Sequence, residues 1–120
     1  MQRYRILIVD DEDSLREALR RWFERHGFQV YMARDGVEAV TQCAAAAFDL
    51  VLMDLEMPRM NGDEAAARIR RSHPGMPIVI LTGAPRAGET LTASEVDGVL
   101  MKPMPLEDLH SRVCQVLAKA

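Results

Sequence analysis

Acidic, hydroxyl and ammonium side chains stand at the ends of four apolar runs in this sequence. The first run, Ile6–Val9, stops at Asp10-Asp11, with Glu12 and Asp13 behind them; Leu50–Met53 runs into Asp54, with Glu56 two residues on. Ile78–Leu81 ends in Thr82-Gly83, and Gly98–Met101 ends in Lys102-Pro103. Carboxylates packed at one sheet edge raise each other's pKa and destabilise a fold. A hard divalent cation relieves that repulsion, and oxygen-only ligands suit Mg²⁺ or Mn²⁺. With Lys102 and one such cation, the charge of Asp10, Asp11 and Asp54 sums to zero. In that setting Asp54 is a nucleophile for a phosphorus centre. Thr82 can donate its hydroxyl to a phosphoryl oxygen, and Lys102 can bridge a carboxylate and the phosphoryl group as a compact point charge.

Taken singly, each feature has a plainer explanation. An acidic run after a strand caps a helix and matches its dipole. Asp54 can open a turn, Thr82-Gly83 can be one, and Lys102-Pro103 can enter a helix. It is the order acid pair, acid, hydroxyl, lysine at four separate strand ends that points to chemistry.

The elements that must position these groups are legible from hydrophobic period. Tyr4–Val9, Gln29–Ala33, Asp49–Met53, Ile78–Leu81 and Gly98–Met101 read as strands. Ser14–His26 is helical, with Leu15, Ala18, Leu19, Trp22 and Phe23 on one side and Gly27 at its end. Gly36–Ala47 reads as a helix with Val37, Val40 and Ala44 inward, and Asp63–Ser72 as one carrying Ala66, Ile69 and Arg70. Pro105 opens a last helix striped by Leu106, Leu109, Val113, Val116 and Leu117. Strands apolar on both faces and separated by helices imply a buried parallel sheet. The expected fold is α/β: a five-stranded doubly wound parallel sheet, (βα)5 and flavodoxin-like, with helices on both faces. In such a fold functional groups gather at the carboxyl ends of the strands.

Bulk properties agree with one soluble unit. A length of 120 residues allows a single domain spanning 1–120, and 48% hydrophobic with 28% charged residues is ordinary globular composition. No apolar run is long enough to cross a bilayer, and the opening Met1-Gln-Arg-Tyr-Arg carries no secretory pattern, so a cytoplasmic location is expected. The net charge of −3 and the absence of a basic run predict no direct nucleic-acid surface. Thirteen of the fifteen cationic residues are arginines, read as solvated helix faces. Cys43 and Cys114 stand alone, without metal-ligand spacing, and read as small hydrophobes.

Over essentially its whole length the sequence resembles the response-regulator receiver family of two-component signalling, the CheY-like superfamily. The segments that carry the resemblance are Ile6-Leu-Ile-Val-Asp-Asp-Glu12, Asp49-Leu-Val-Leu-Met-Asp-Leu-Glu-Met-Pro-Arg-Met-Asn-Gly62, Ile78-Val-Ile-Leu-Thr-Gly83 and Val99-Leu-Met-Lys-Pro103. The resemblance implies that Asp54 is the phosphoacceptor, charged by a phosphohistidine on a sensor kinase or a histidine phosphotransfer protein. It implies Mg²⁺ bound by Asp11 directly, by Asp10 through water, by Asp54 and by the backbone carbonyl of Glu56. Thr82 and Lys102 would bind the phosphoryl oxygens. The switch would then remodel the face of the fourth helix, fifth strand and last helix for a downstream protein. A homodimer stays open. Such a chain is a signalling domain, enzymatic only in its own phosphorylation and dephosphorylation.

Two departures from the family pattern stand out. An aromatic residue usually sits three before the lysine, whereas this chain has Val99, short and stiff at χ1. The stretch from Thr82 to Lys102 carries Pro85, Gly88, Thr90, Thr92 and Val96, which predicts a short or poorly ordered fourth helix. Glu56 and Ala84, two residues after Asp54 and Thr82, occupy positions that in this family line access to the acyl phosphate, and so are candidates for tuning its lifetime. The main alternative is a phosphorylation-silent receiver used for docking or dimerisation. A dehalogenase-type phosphatase would need its nucleophile on the first strand, and a flavodoxin-like cofactor binder would need a hydroxyl- and glycine-rich loop after it. The sequence stops after the last helix, which leaves a stand-alone receiver and a piece of a larger regulator or hybrid kinase both open.

Overall fold

The computed structural model describes residues 3–83 and 96–119. Ala84 and most of the expected fourth helix lie outside the described residues. Five parallel strands form one sheet in the order β2-β1-β3-β4-β5: β1 is Arg5–Val9, β2 Gln29–Ala33, β3 Leu50–Met53, β4 Ile78–Thr82 and β5 Gly98–Met101. Helices α1 (Asp13–Arg25), α2 (Gly36–Ala45) and α3 (Gly62–Ser72) follow the first three strands, and a C-terminal helix covers Leu106–Lys119. The doubly wound parallel sheet expected from the sequence is the one observed.

Side chains alternate across a strand, so each central strand feeds two cores. Leu7, Val9, Val51, Met53, Ile78 and Ile80 pack with Ala39 and Cys43 of α2 and with Ala65, Ala66 and Ile69 of α3. Ile6, Ile8, Leu50, Leu52, Val79 and Leu81 pack with Leu19 and Phe23 of α1 and with Leu109, Val113 and Leu117 of the C-terminal helix. This double burial explains why the strands read as unbroken apolar runs.

The rotation of α2 differs from expectation. Ala39 and Cys43 face the core, Val40 packs partly against it, and Ala44 is exposed. Alanines and valines surround this helix, so its period carries little direction. Gly36 decides it: a Cβ there would lie 2.6 Å from the Met60 carbonyl oxygen and 3.1 Å from the Ala65 side chain. Only a glycine allows that approach. Of the two cysteines, Cys43 is buried and Cys114 exposed. Arg70 of α3 makes polar contacts at the edge of its core: its Nε donates to the Met76 carbonyl at 2.6 Å and its guanidinium pairs with Asp97 at 2.5 Å.

Candidate functional site

Strand order reverses between β1 and β3, the position at which doubly wound sheets bind ligands beyond the carboxyl ends of their strands. The register Val9↔Met53 places the next residues, Asp10 and Asp54, side by side, and the Asp54 amide donates to the Val9 carbonyl at 2.9 Å. On the other side of β3, Thr82 ends β4 opposite Met101, and Lys102 follows, its amide donating to the Thr82 carbonyl at 2.8 Å. The sheet therefore carries the acid pair, the single acid, the hydroxyl and the lysine to one edge.

The side chains complete the arrangement. One carboxylate oxygen from each of Asp10, Asp11 and Asp54 lies within 4.8 Å of the other two. The Lys102 Nζ stands 3.2 Å from Asp10 Oδ2 and 3.4 Å from Asp54 Oδ2. Asp10 and Asp54 are buried, at 3% and 7% exposure, and Thr82 is fully buried, whereas Asp11 faces solvent. Asp10 Oδ1 accepts from the Glu12 amide at 2.9 Å, and Asp54 Oδ1 from the Glu56 amide at 3.3 Å. The Glu56 side chain is exposed in the loop after β3. Val99 is half-buried opposite Ile80 and packs on the core shared with α2 and α3.

Burial pushes the Asp54 carboxyl above its ordinary range, and Asp10 adds to this, while Lys102 and the Glu56 amide pull the other way. Burial alone would lower the Lys102 ammonium, but Asp10 and Asp54 together leave it above its usual value. Lys102 answers two of the three carboxylates, so the partly buried cluster keeps net negative charge. An all-oxygen donor set of that size and charge fits a hard divalent cation. It offers no thiol or imidazole for a softer metal.

Sequence reasoning missed the supports of this edge. Arg16, taken as part of a solvated face, donates to the Asp10 carbonyl at 2.7 Å and pairs with Asp13; its side chain is only 13% exposed. Its spacing of three from Asp13 was the one available signal. Gly62 closes the loop after β3, its amide donating to the Leu55 carbonyl at 2.7 Å. A Cβ at Gly62 would come within 2.8 Å of Leu55 Cα and still closer to the Asp54 carbonyl.

Known proteins resemble this chain in sequence and in fold. The family model described as the response regulator receiver domain matches residues 6–114. The response regulator MprA of Mycobacterium avium is 36% identical over 117 residues, covering 96% of this chain and 51% of its own. The chain thus spans about half the length of the curated relatives it matches. A CheY-like response regulator receiver domain protein from Methanospirillum hungatei superposes with a TM-score of 0.93 at 27% identity, covering 98% of this chain and 96% of that one. The response regulator protein TrrA of Thermotoga maritima, solved in complex with Mg(2+)-BeF, has a TM-score of 0.88 at 31% identity, covering 94% of this chain and 98% of its own.

Proposed function

Since this chain belongs to the response-regulator receiver domain family, we propose that Asp54 is its phosphoacceptor in a Mg²⁺-dependent transfer from a histidine kinase or a histidine phosphotransfer protein. The observation that supports this most directly is the meeting of Asp10, Asp11 and Asp54 oxygens within 4.8 Å beside Lys102. Asp11 and Asp54, the Glu56 backbone carbonyl and, through water, Asp10 would hold the cation. When bound, Mg²⁺ supplies positive charge to the phosphoryl oxygens and the carboxylates. Mn²⁺ would satisfy the same oxygen donors.

An Asp54 carboxylate oxygen attacks phosphorus, the phosphorus–nitrogen bond of the donor phosphohistidine breaks, and the imidazole leaves with the electron pair. Lys102 then exchanges its contact with Asp54 Oδ2 for a phosphoryl oxygen while keeping Asp10. The Thr82 hydroxyl donates to a second phosphoryl oxygen. The altered edge would be read by a downstream protein at the face of β5, the C-terminal helix and the segment between β4 and β5, most of which lies outside the described residues. Residues 1–120 act in this reading as one receiver unit in the cytoplasm; no helix among the described residues is long and apolar enough to cross a membrane.

Incubation with phosphoramidate and Mg²⁺, followed by intact-mass measurement, tests the proposal. One phosphoryl adduct is expected on the wild type and none on Asp54→Asn or without metal. Folded wild type that takes no adduct under conditions that slow hydrolysis favours the phosphorylation-silent docking receiver. The specific observation behind that second reading is half-buried Val99, which lacks the size and freedom to swing between two positions.

A further inference from the structure

Asp35, between β2 and α2, does more than its position requires. Its Oδ1 accepts from the Glu38 amide at 2.9 Å and so caps α2. An uncharged Asn or Ser would cap as well. Yet the Asp35 side chain is only 7% exposed, and a carboxylate so removed from water needs an opposite charge. That charge arrives from 24 residues away: Arg59 NH1 stands 3.1 Å from Asp35 Oδ2.

Arg59 sits in the loop between β3 and α3, with φ of 69°, a region that non-glycine residues rarely adopt. The Met60 amide donates to the Pro58 carbonyl at 2.7 Å, closing a three-residue turn around Arg59. Gly36, next to Asp35, lets the Met60 carbonyl approach the start of α2. The loop that begins at Asp54 and carries Glu56 is thus closed at its base by Gly62 and Leu55 and tied at its crown to Asp35.

We infer that the Asp35–Arg59 ion pair is a positioning device, which fixes the loop after β3 from the start of α2 and so presets the Asp54–Glu56 backbone for the divalent cation. This inference rests on the proposed receiver chemistry. Removing such an outer support commonly weakens a metal site by roughly 10-fold.

Mg²⁺ affinity by calorimetry and amide exchange of metal-free protein, on Arg59→Ala, Arg59→Lys, Asp35→Asn and the Asp35→Asn/Arg59→Ala double variant, decide it. Asp35→Asn keeps the cap and removes the charge. The two single losses should each weaken Mg²⁺ binding by roughly 10-fold, and the double variant no further. Arg59→Lys should retain most of the affinity. Exchange at Met60 and Gly62 should quicken in both losses while α2 amides hold steady in Asp35→Asn. Unchanged affinity and exchange overturn the inference, as does a weakening that tracks thermal midpoint alone and is not rescued by Arg59→Lys. Wild type that binds no Mg²⁺ overturns the receiver chemistry and this inference with it; normal wild-type binding with unaffected variants overturns this inference alone.

Discussion

Asp54 carries a cost in the metal-free protein. Its carboxylate is nearly buried beside Asp10, and the attraction of Lys102 does not fully offset burial. Asp54→Asn removes the charge with little change of shape. It should raise the metal-free thermal midpoint by about a few degrees and abolish stabilisation by Mg²⁺. Calorimetry with Mg²⁺ and with a chelator checks both halves. A lower midpoint would mean that the Lys102 contact outweighs burial and repulsion. Glu56 is a separate matter, since its exposed carboxylate can orient or repel the water that attacks an acyl phosphate. We expect Glu56→Ala to change the dephosphorylation rate several-fold, on the general acid–base scale of which one positioned group is a fraction. Identical decay of the two phosphorylated proteins would assign Glu56 to the surface alone. At this scale the sequence was readable for placement: Asp10, Asp54 and Lys102, read at the ends of apolar runs, lie together at one sheet edge. It was unreadable for Arg16 and Arg59, because an arginine on a helix or in a loop looks the same whether it is solvated or paired.

Among the elements, the contact between α1 and the C-terminal helix should respond to pH. Trp22 Nε1 donates to His110 Nδ1 at 3.4 Å, and the His26 ring lies 4.8 Å from the His110 ring and stacks on Trp22 at 4.4 Å. Burial, and then the neighbouring His26, hold His110 below the ordinary imidazole value of 6.5. The unfolded chain therefore takes up its proton before the folded chain does. Stability should be level above that value and fall as pH drops from it towards the lower folded value. Protonation also removes the acceptor for the Trp22 N–H, so indole emission of the folded protein should change as pH passes the lower folded value. Urea melts and fluorescence at stepped pH check this, with His110→Phe expected to flatten both profiles. The boundaries of elements followed the sequence closely because periodicity is a local signal; the head of α3, read at Asp63, lies at Gly62, where Asn61 accepts from the Glu64 amide at 3.1 Å. The rotation of α2 did not follow, since Gly36 meeting Met60 fixes it and that contact is not local.

For the molecule as a whole, the two cores share one sheet whose central strands lend alternate side chains to each. Damage on one side should therefore be felt on the other. Phe23, fully buried in the α1 core, and Ile69, buried in the α3 core, make a matched pair for truncation. Phe23→Ala and Ile69→Ala should each cost about 2–5 kcal/mol and leave a single unfolding transition with an unchanged denaturant slope. Circular dichroism and Trp22 fluorescence followed together in urea check this; transitions that separate would show that the two faces unfold independently. The relatives span roughly twice this length, and the effector attached to the receiver in any longer protein is not encoded in these two cores.

The sequence by itself determined the class of fold and the kinds of groups at the strand ends. Both are written in short-range order: apolar runs buried on two faces, helical periods between them, and acids, a threonine and a lysine where the runs stop. Tertiary structure alone decided which ends are neighbours. The crossovers set the order β2-β1-β3-β4-β5 and so bring Asp10 beside Asp54, with Lys102 reaching both from a strand that lies two places from β3. The same holds for Asp35 and Arg59, separated by 24 residues and joined across 3.1 Å. No local period or propensity records such pairings, because they depend on how separate βα units stack, and the burial that makes the Asp10, Asp54 and Asp35 carboxylates need a cation exists only once they have.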